Sequence, residues 1–316
     1  MSTTTVKAMR DAFIEVLFER MEENEDIFFL AADLGAPALD MIREAYPDRF
    51  INVGIAEQNL INVATGLALE GQTVYAYAIA PFISMRAYEQ IRVNLSISSQ
   101  IRPVNVNLIG VGGGVSYQVS GPTHHCLEDL SIMRLLPNIT VCSPSDWKLA
   151  QGLVDYTIKT NGPKYIRFDG KPLPAIYNDV SQDILENGFC ELVKGENVCL
   201  VSTGFMTHRA LNVVRELDGI GLIDILLLKP LDTEKLYAAL QPYQHVITIE
   251  EAFINNGGLD CLVANILNAD NSTITLDKIG FNDSYVFELG SRDYLHKINC
   301  MHEEHILLMV GGKLRL

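Results

Sequence analysis

No run of 18 apolar residues occurs in the 316-residue sequence, which argues against a membrane-spanning helix. Basic residues are scarce. The 24 Lys and Arg set against 39 Asp and Glu leave a formal charge of −15, so there is no positive stripe to neutralise nucleic-acid phosphates or an anionic membrane surface. The six cysteines, Cys126, Cys142, Cys190, Cys199, Cys261 and Cys300, include no C-x-x-C pair. Cys142 and Cys199 fall in apolar runs and read as reduced thiols used as small hydrophobes in buried strands. The opening MSTTTVKAMRDAF has no apolar signal core, and a cytoplasmic protein is expected. Internal repeats and low-complexity tracts are also missing.

What the chain does have is an ordinary globular balance, 48% hydrophobic and 20% charged, at a length that favours two domains. Strand-like and helix-like segments alternate, the pattern of α/β layers with mostly parallel, doubly wound sheets. Met9, Phe13, Val16 and Leu17 recur at helical spacing. The runs 27–32, 73–78, 104–110, 139–142 and 164–167 read as buried strands, with helices at 56–70, 85–98, 128–135 and 146–159 between them. The Pro-, Asp- and Asn-rich stretch after Phe168 breaks this rhythm. It divides the chain into a first domain at 1–172, a linker at 173–189 and a second domain at 190–316. In the second domain strands are expected at 198–202, 222–228 and 246–250.

The segment FINVGIAEQNLINVATGLAL, residues 50–69, brings a strand to Gly54 and starts a helix near Ala56. Glu57 therefore falls in a first helical turn among apolar neighbours. Such a carboxylate either complements the helix N-terminus electrostatically or shares a proton with a cofactor nitrogen. Position alone supports the first reading.

The surrounding words support the second. GIAEQNL, GLALEG and MRAYEQIR resemble the pyrimidine-binding domain of transketolases and deoxyxylulose-phosphate synthases. GPTHH, residues 121–125, and LPNITVCSPSD, residues 136–146, resemble the turn, strand and helix start that follow in those families. KPLD, residues 229–232, and ITIEEAFINNGGL, residues 247–259, resemble the transketolase C-terminal domain. Several motifs in register are far more specific than one glycine pattern.

The resemblance implies a thiamine-diphosphate enzyme that passes a two-carbon ketol unit between small-molecule sugars. Glu57 matches the glutamate that hydrogen-bonds the N1′ nitrogen of the cofactor's aminopyrimidine. Phe82 matches the aromatic residue stacked on that ring, or else is a core phenylalanine. Ile79 stands where a second aromatic is common. Asp33, in AADLG, matches an aspartate near the cofactor, though a turn residue there needs no function. His124 matches a substrate-facing histidine that assists proton transfer, and His125 replaces a common glutamine. Arg167 corresponds to an anion-binding arginine; the competing reading is a strand-end arginine paired with Asp169.

Two departures accompany the match. Ser120 replaces an aspartate that reads a sugar hydroxyl, and Gly112 stands where a histidine is usual, so a specialised donor is expected. No G-D-G motif occurs, so the diphosphate and Mg²⁺ are expected to be held by a separate N-terminal subunit carrying one. An α2β2 heterotetramer, with self-association of this chain, is the assembly implied. The alternatives are the beta subunit of a 2-oxo acid dehydrogenase or carboligase, a non-catalytic regulatory paralogue, and a nucleotide-binding protein using the Val111–Gly114 loop. The retained Glu57 and Phe82 count against the regulatory paralogue. The loop lacks G-x-G-x-x-G spacing, which counts against nucleotide binding.

Overall fold

The computed structural model describes residues 5–269 and 272–314. The first half runs β1 (Val6–Lys7), α1 (Met9–Glu23), β2 (Ile27–Ala31), α2 (Pro37–Ala45), β3 (Phe50–Asn52), α3 (Glu57–Leu69) and β4 (Thr73–Ile79). A helical stretch over 82–100 follows, containing the short α4 (Tyr88–Gln90), and then β5 (Val106–Val111), α5 (Asp129–Leu135), β6 (Thr140–Cys142), α6 (Trp147–Lys159) and β7 (Lys164–Phe168). Strands β2 to β7 form one parallel sheet in the order β6-β7-β5-β4-β2-β3. Met9, Phe13, Leu17 and Met21 recur every four residues and bury the inner stripe of α1, which packs on α6. Both faces of the sheet are covered, which is why its strands read as continuous apolar runs. Cys142 and Cys199 are fully buried there and in the second sheet, and burial pushes the Cys142 thiol up to about 12.

The helix expected at 85–98 is irregular. Phe82–Arg86 and Ile91–Ile97 are π-helical turns around α4. Pro81 precedes the first turn, and buried Ser84 Oγ donates to the Ala80 carbonyl at 2.7 Å, competing for an acceptor of the helical ladder.

The stretch between the sheets is ordered. β8 (Leu173–Pro174) pairs with β1, and α7 (Gln182–Asn187) leads to β9 (Phe189–Val193). Asp146 holds both sides of this connection. Its Oδ1 caps α6 through Leu149 N at 2.8 Å, and its Oδ2 accepts from Ile176 N and Tyr177 N at 2.6 and 2.9 Å.

The second series is β10 (Val198–Ser202), α8 (Met206–Glu216), β11 (Ile220–Ile225), β12 (Leu227–Lys229), α9 (Thr233–Leu240), β13 (His245–Phe253), α10 (Leu259–Ala269), β14 (Thr275–Phe281), α11 (Arg292–Ile298) and α12 (Glu303–Lys313). The second sheet runs β14-β13-β10-β11-β9, parallel except for β9. The single strand expected at 222–228 is in fact two strands in different sheets. Leu226 N and Leu227 N both bond the Gly188 carbonyl, and Ser143 N bonds the Leu226 carbonyl at 2.8 Å. The chain thus leaves the second sheet at Leu226 and adds β12 to the edge of the first, antiparallel to β6.

The ITIEEAFINNGGL word has a direct structural meaning. Glu250 accepts Leu259 N and Asp260 N at 2.8 Å each, capping α10, and burial pushes its carboxyl up to about 7. A Cβ on Gly258 would lie 2.4 Å from Glu250 Oε2, so only glycine lets that cap close. Glu251 points the other way and fastens the two sheets together.

Candidate active site

Glu57 is the first residue of α3, delivered by β3 and a turn at Gly54 with φ +74°. It is only 2% exposed. Arg86 Nη1 donates to its Oε2 at 2.7 Å, and no hydrogen bond reaches Oε1 among the described residues. The same guanidinium lies over the Phe82 ring, 4.7 Å from its centroid. Phe82 in turn meets the His124 ring edge-on at 5.2 Å. Thr123 Oγ1 and His124 Nδ1 are 3.0 Å apart, which fixes the ring's orientation. Glu57, Arg86, Phe82 and His124 therefore form one contiguous array beyond the C-terminal ends of the parallel strands, where open α/β sheets bind ligands. Three of the four are site candidates from the sequence alone. Arg86 is not, although it stands four residues after Phe82 and so shares its helical face.

The other candidates differ in burial and in their partners. Asp33 lies two residues past the end of β2 in the left-handed region, φ +52°, exposed, and exchanges hydrogen bonds with Asn52. Asn52 Oδ1 also takes Gly54 N at 2.9 Å, which links Asp33 to the segment that presents Glu57. Ile79 is the last residue of β4. Ser120 is exposed in the turn before Gly121, its N–H bonded to the Tyr117 carbonyl. His125 is buried, with no hydrogen bond within normal geometry to either ring nitrogen among the described residues, and burial lowers its basicity.

Arg167 is buried at the junction of the sheets. Its Nε donates to Asp129 Oδ2 at 2.9 Å, and its Nη2 donates to the Cys126 and Glu251 carbonyls at 3.0 and 2.8 Å. Its acidic partner is Asp129, not the expected Asp169, which pairs instead with Arg292 at 2.6 Å. Arg292 also grips Glu251 through two contacts, at 2.7 and 2.5 Å, and His296 Nε2 approaches the same carboxylate at 2.5 Å. Burial opposes ionisation of Glu251, but these two partners outweigh it and hold the carboxyl well below its usual range. No sequence pattern announces this network, because its members are separated by up to 167 positions.

The glycine-rich loop serves the same junction. A Cβ on Gly113 would lie 2.6 Å from Arg167 Nε, and one on Gly114 1.9 Å from Glu251 Oε2. At Gly112 a Cβ would stand 2.1 Å from the Tyr117 ring, so no histidine fits where the resemblance would place one. The loop's glycines are therefore explained by close packing, with no need of a nucleotide.

A carboxylate with one oxygen unpartnered, beside an aromatic face, fits a planar cofactor ring bearing nitrogen. Among the described residues no group of three His, Cys, Asp or Glu is placed to hold a metal ion. No helix among the described residues is long and apolar enough to cross a membrane.

Fold and array together define a two-domain α/β chain that sets a buried carboxylate beside an aromatic face. Comparison with known proteins gives the family. Residues 6–174 match the transketolase pyrimidine-binding domain and residues 190–306 the transketolase C-terminal domain. One of the subunits of an apulose-4-phosphate transketolase from Actinobacillus succinogenes is 33% identical, covering 92% of this chain and 93% of its own. A 6-deoxy-6-sulfo-D-fructose transketolase subunit from a Clostridium species is 31% identical over 91% of this chain and 88% of its own. A solved structure of a split-gene transketolase, an inactive beta4 tetramer, superposes with a TM-score of 0.85 at 31% identity, covering 99% of both chains. The chain belongs to the transketolase family, whose members depend on thiamine diphosphate. Its similarity to these subunits makes it the beta, or C-terminal, subunit of a transketolase-like enzyme, which works with a separate partner subunit.

Proposed function

We propose that this subunit joins a cytoplasmic α2β2 enzyme that transfers a two-carbon ketol unit between sugars and takes a specialised donor. Residues 1–172 serve as the pyrimidine-binding domain and 190–316 as the C-terminal domain. The observation that carries the reading is the array of buried Glu57 with half-buried Phe82 and His124 at one strand-end face. When bound, thiamine diphosphate supplies the carbanion chemistry that breaks and remakes the carbon–carbon bond.

This chain's residues do the rest. Glu57 holds the proton at the N1′ ring nitrogen, and a fixed, buried carboxyl does this without reorganising. Phe82 offers an apolar face that orients the ring, with Ile79 and Asp33 at the neighbouring strand ends. His124, next to Phe82 and steadied by Thr123, holds or moves a proton at a substrate oxygen. Ser120, exposed in the turn before Gly121, is the candidate reader of the donor, while Arg167 is buried and bonded to Asp129.

The partner subunit, carrying a G-D-G motif, holds the diphosphate and Mg²⁺; the missing motif in this sequence supports this. The uncommon sugars in the names of the two relatives, and the filled space at Gly112, support a specialised ketose donor.

Calorimetry with Mg²⁺ and thiamine diphosphate tests the division of labour: the complex should bind stoichiometrically and the isolated chain poorly. Tight binding by this chain alone would overturn it. Glu57→Gln should abolish turnover of the complex and leave its circular dichroism unchanged. A variant that turns over normally would remove Glu57 from its role.

A further inference from the structure

Arg86 makes two contacts, and both fall on residues assigned to the cofactor ring. Its Nη1 is 2.7 Å from Glu57 Oε2, and its guanidinium carbon is 4.7 Å from the centre of the Phe82 ring. A guanidinium is flat, delocalised and rich in N–H donors, and it both stacks on aromatic faces and bonds carboxylates. An aminopyrimidine ring is also flat and also carries N–H donors. The two groups thus call on the same carboxylate and the same aromatic face.

They differ in mobility. Glu57 has a side chain only 3% exposed and sits on regular α3, whereas the Arg86 side chain is 48% exposed on a flexible stem. Arg86 also closes the π-helical turn Phe82–Arg86, a local departure from helix geometry of the kind that recurs at functional sites. Of the two partners in this ion pair, Arg86 is the one free to leave.

Resting on the functional reading above, the geometry points to Arg86 as a positioning residue for the cofactor. It keeps Glu57 and Phe82 aligned and yields its place on both when the aminopyrimidine docks. Cofactor binding must then break one part-exposed ion pair, so Arg86 weakens the equilibrium affinity of the site it organises. A pair of this exposure contributes a factor of about five at most.

The test uses the complex reconstituted with its partner subunit, titrated calorimetrically with thiamine diphosphate at fixed Mg²⁺. Arg86→Gln and Arg86→Ala should each bind the cofactor roughly two- to fivefold more tightly than wild type, at unchanged stoichiometry. In a Glu57→Gln background the same Arg86 substitutions should have a smaller effect, because the ion pair is already gone and only the contact with the Phe82 face is left to give up. A residue that merely supported the fold would weaken binding when replaced. Equal or weaker binding by both Arg86 variants, or an undiminished effect in the Glu57→Gln background, would overturn the proposal. Failure of the wild-type complex to bind thiamine diphosphate would instead sink the functional reading itself, so the two failures are distinguishable.

Discussion

Replacing Arg292 with methionine should cut deeply into stability, and by an amount that depends on pH. The arginine is buried between Glu251 and Asp169, with contacts of 2.5 to 2.7 Å to both, and its guanidinium lies 3.5 Å from the centre of the Phe205 ring. Methionine keeps the apolar stem against Phe205 but takes the arginine from two buried carboxylates, leaving Glu251 with His296 alone. Removing one partner of a buried ion pair costs about 3–5 kcal/mol. At about 2–3 °C per kcal/mol for a chain of this size, the melting temperature should fall by roughly 6–15 °C in a thermal scan near pH 8.

The sign of the pH effect follows from Glu251. In the native chain its carboxyl is held well below the ordinary 4.5, so its stabilising contribution is present above that value and is lost on acidification below it. Without Arg292, desolvation dominates and pushes the carboxyl up. The contribution then reverses, with the penalty present at high pH and relieved as the group protonates. The deficit should therefore shrink between pH 8 and pH 5. A loss below about 1 kcal/mol, or one that grows on acidification, would refute the reasoning.

Gly114→Ala should unfold or insolubilise the chain, or cost at least about 3 kcal/mol, because the methyl would lie 1.9 Å from Glu251 Oε2 at φ +61°. Gly66→Ala in α3, with nothing within 4 Å, is the control and should be neutral or slightly stabilising by chemical denaturation. Asp224→Asn tests a second buried carboxyl, pushed from 3.8 up to about 6 by burial against the opposing hydrogen bonds of Ser145, Thr207 and Tyr177. Its contribution is present below 3.8 and lost as pH rises through about 6, so the melting temperature of the variant relative to wild type should improve from pH 5 to pH 8; a pH-independent difference counts against this. Ser120→Asp in the complex should move donor preference toward ordinary ketose phosphates in a substrate panel, and an unchanged preference would detach Ser120 from donor recognition.

The residues legible in the sequence and those seen only in three dimensions differ in range. Glu57 is legible because a strand, a glycine turn and a helix start lie within eight residues, and Phe82 and His124 because local words carry them. The strand over 198–202 matches its apolar run residue for residue. What escapes depends on distant partners. Arg86 meets Glu57 across 29 positions, and Arg292 meets Asp169 and Glu251 across much longer spans. No periodicity reports such pairs. The π-helical turns are hidden for a subtler reason, since a shifted hydrogen-bond ladder leaves the apolar spacing of a helix nearly intact. The apolar run over 222–228 cannot disclose that the chain changes sheets at Leu226, because Leu227 and Leu228 are as apolar as the strand before them.

That change of sheet sets an order of events during synthesis. The outermost strand of the first sheet, Leu227–Lys229, is made about sixty residues after Phe168, the end of the last parallel strand. At roughly 5–20 residues per second, a growing chain spends several seconds with the Thr140–Cys142 edge unpaired. An open, apolar strand edge invites pairing with other chains. A fragment cut at the linker would carry that open edge permanently, so the two halves should be produced as one polypeptide.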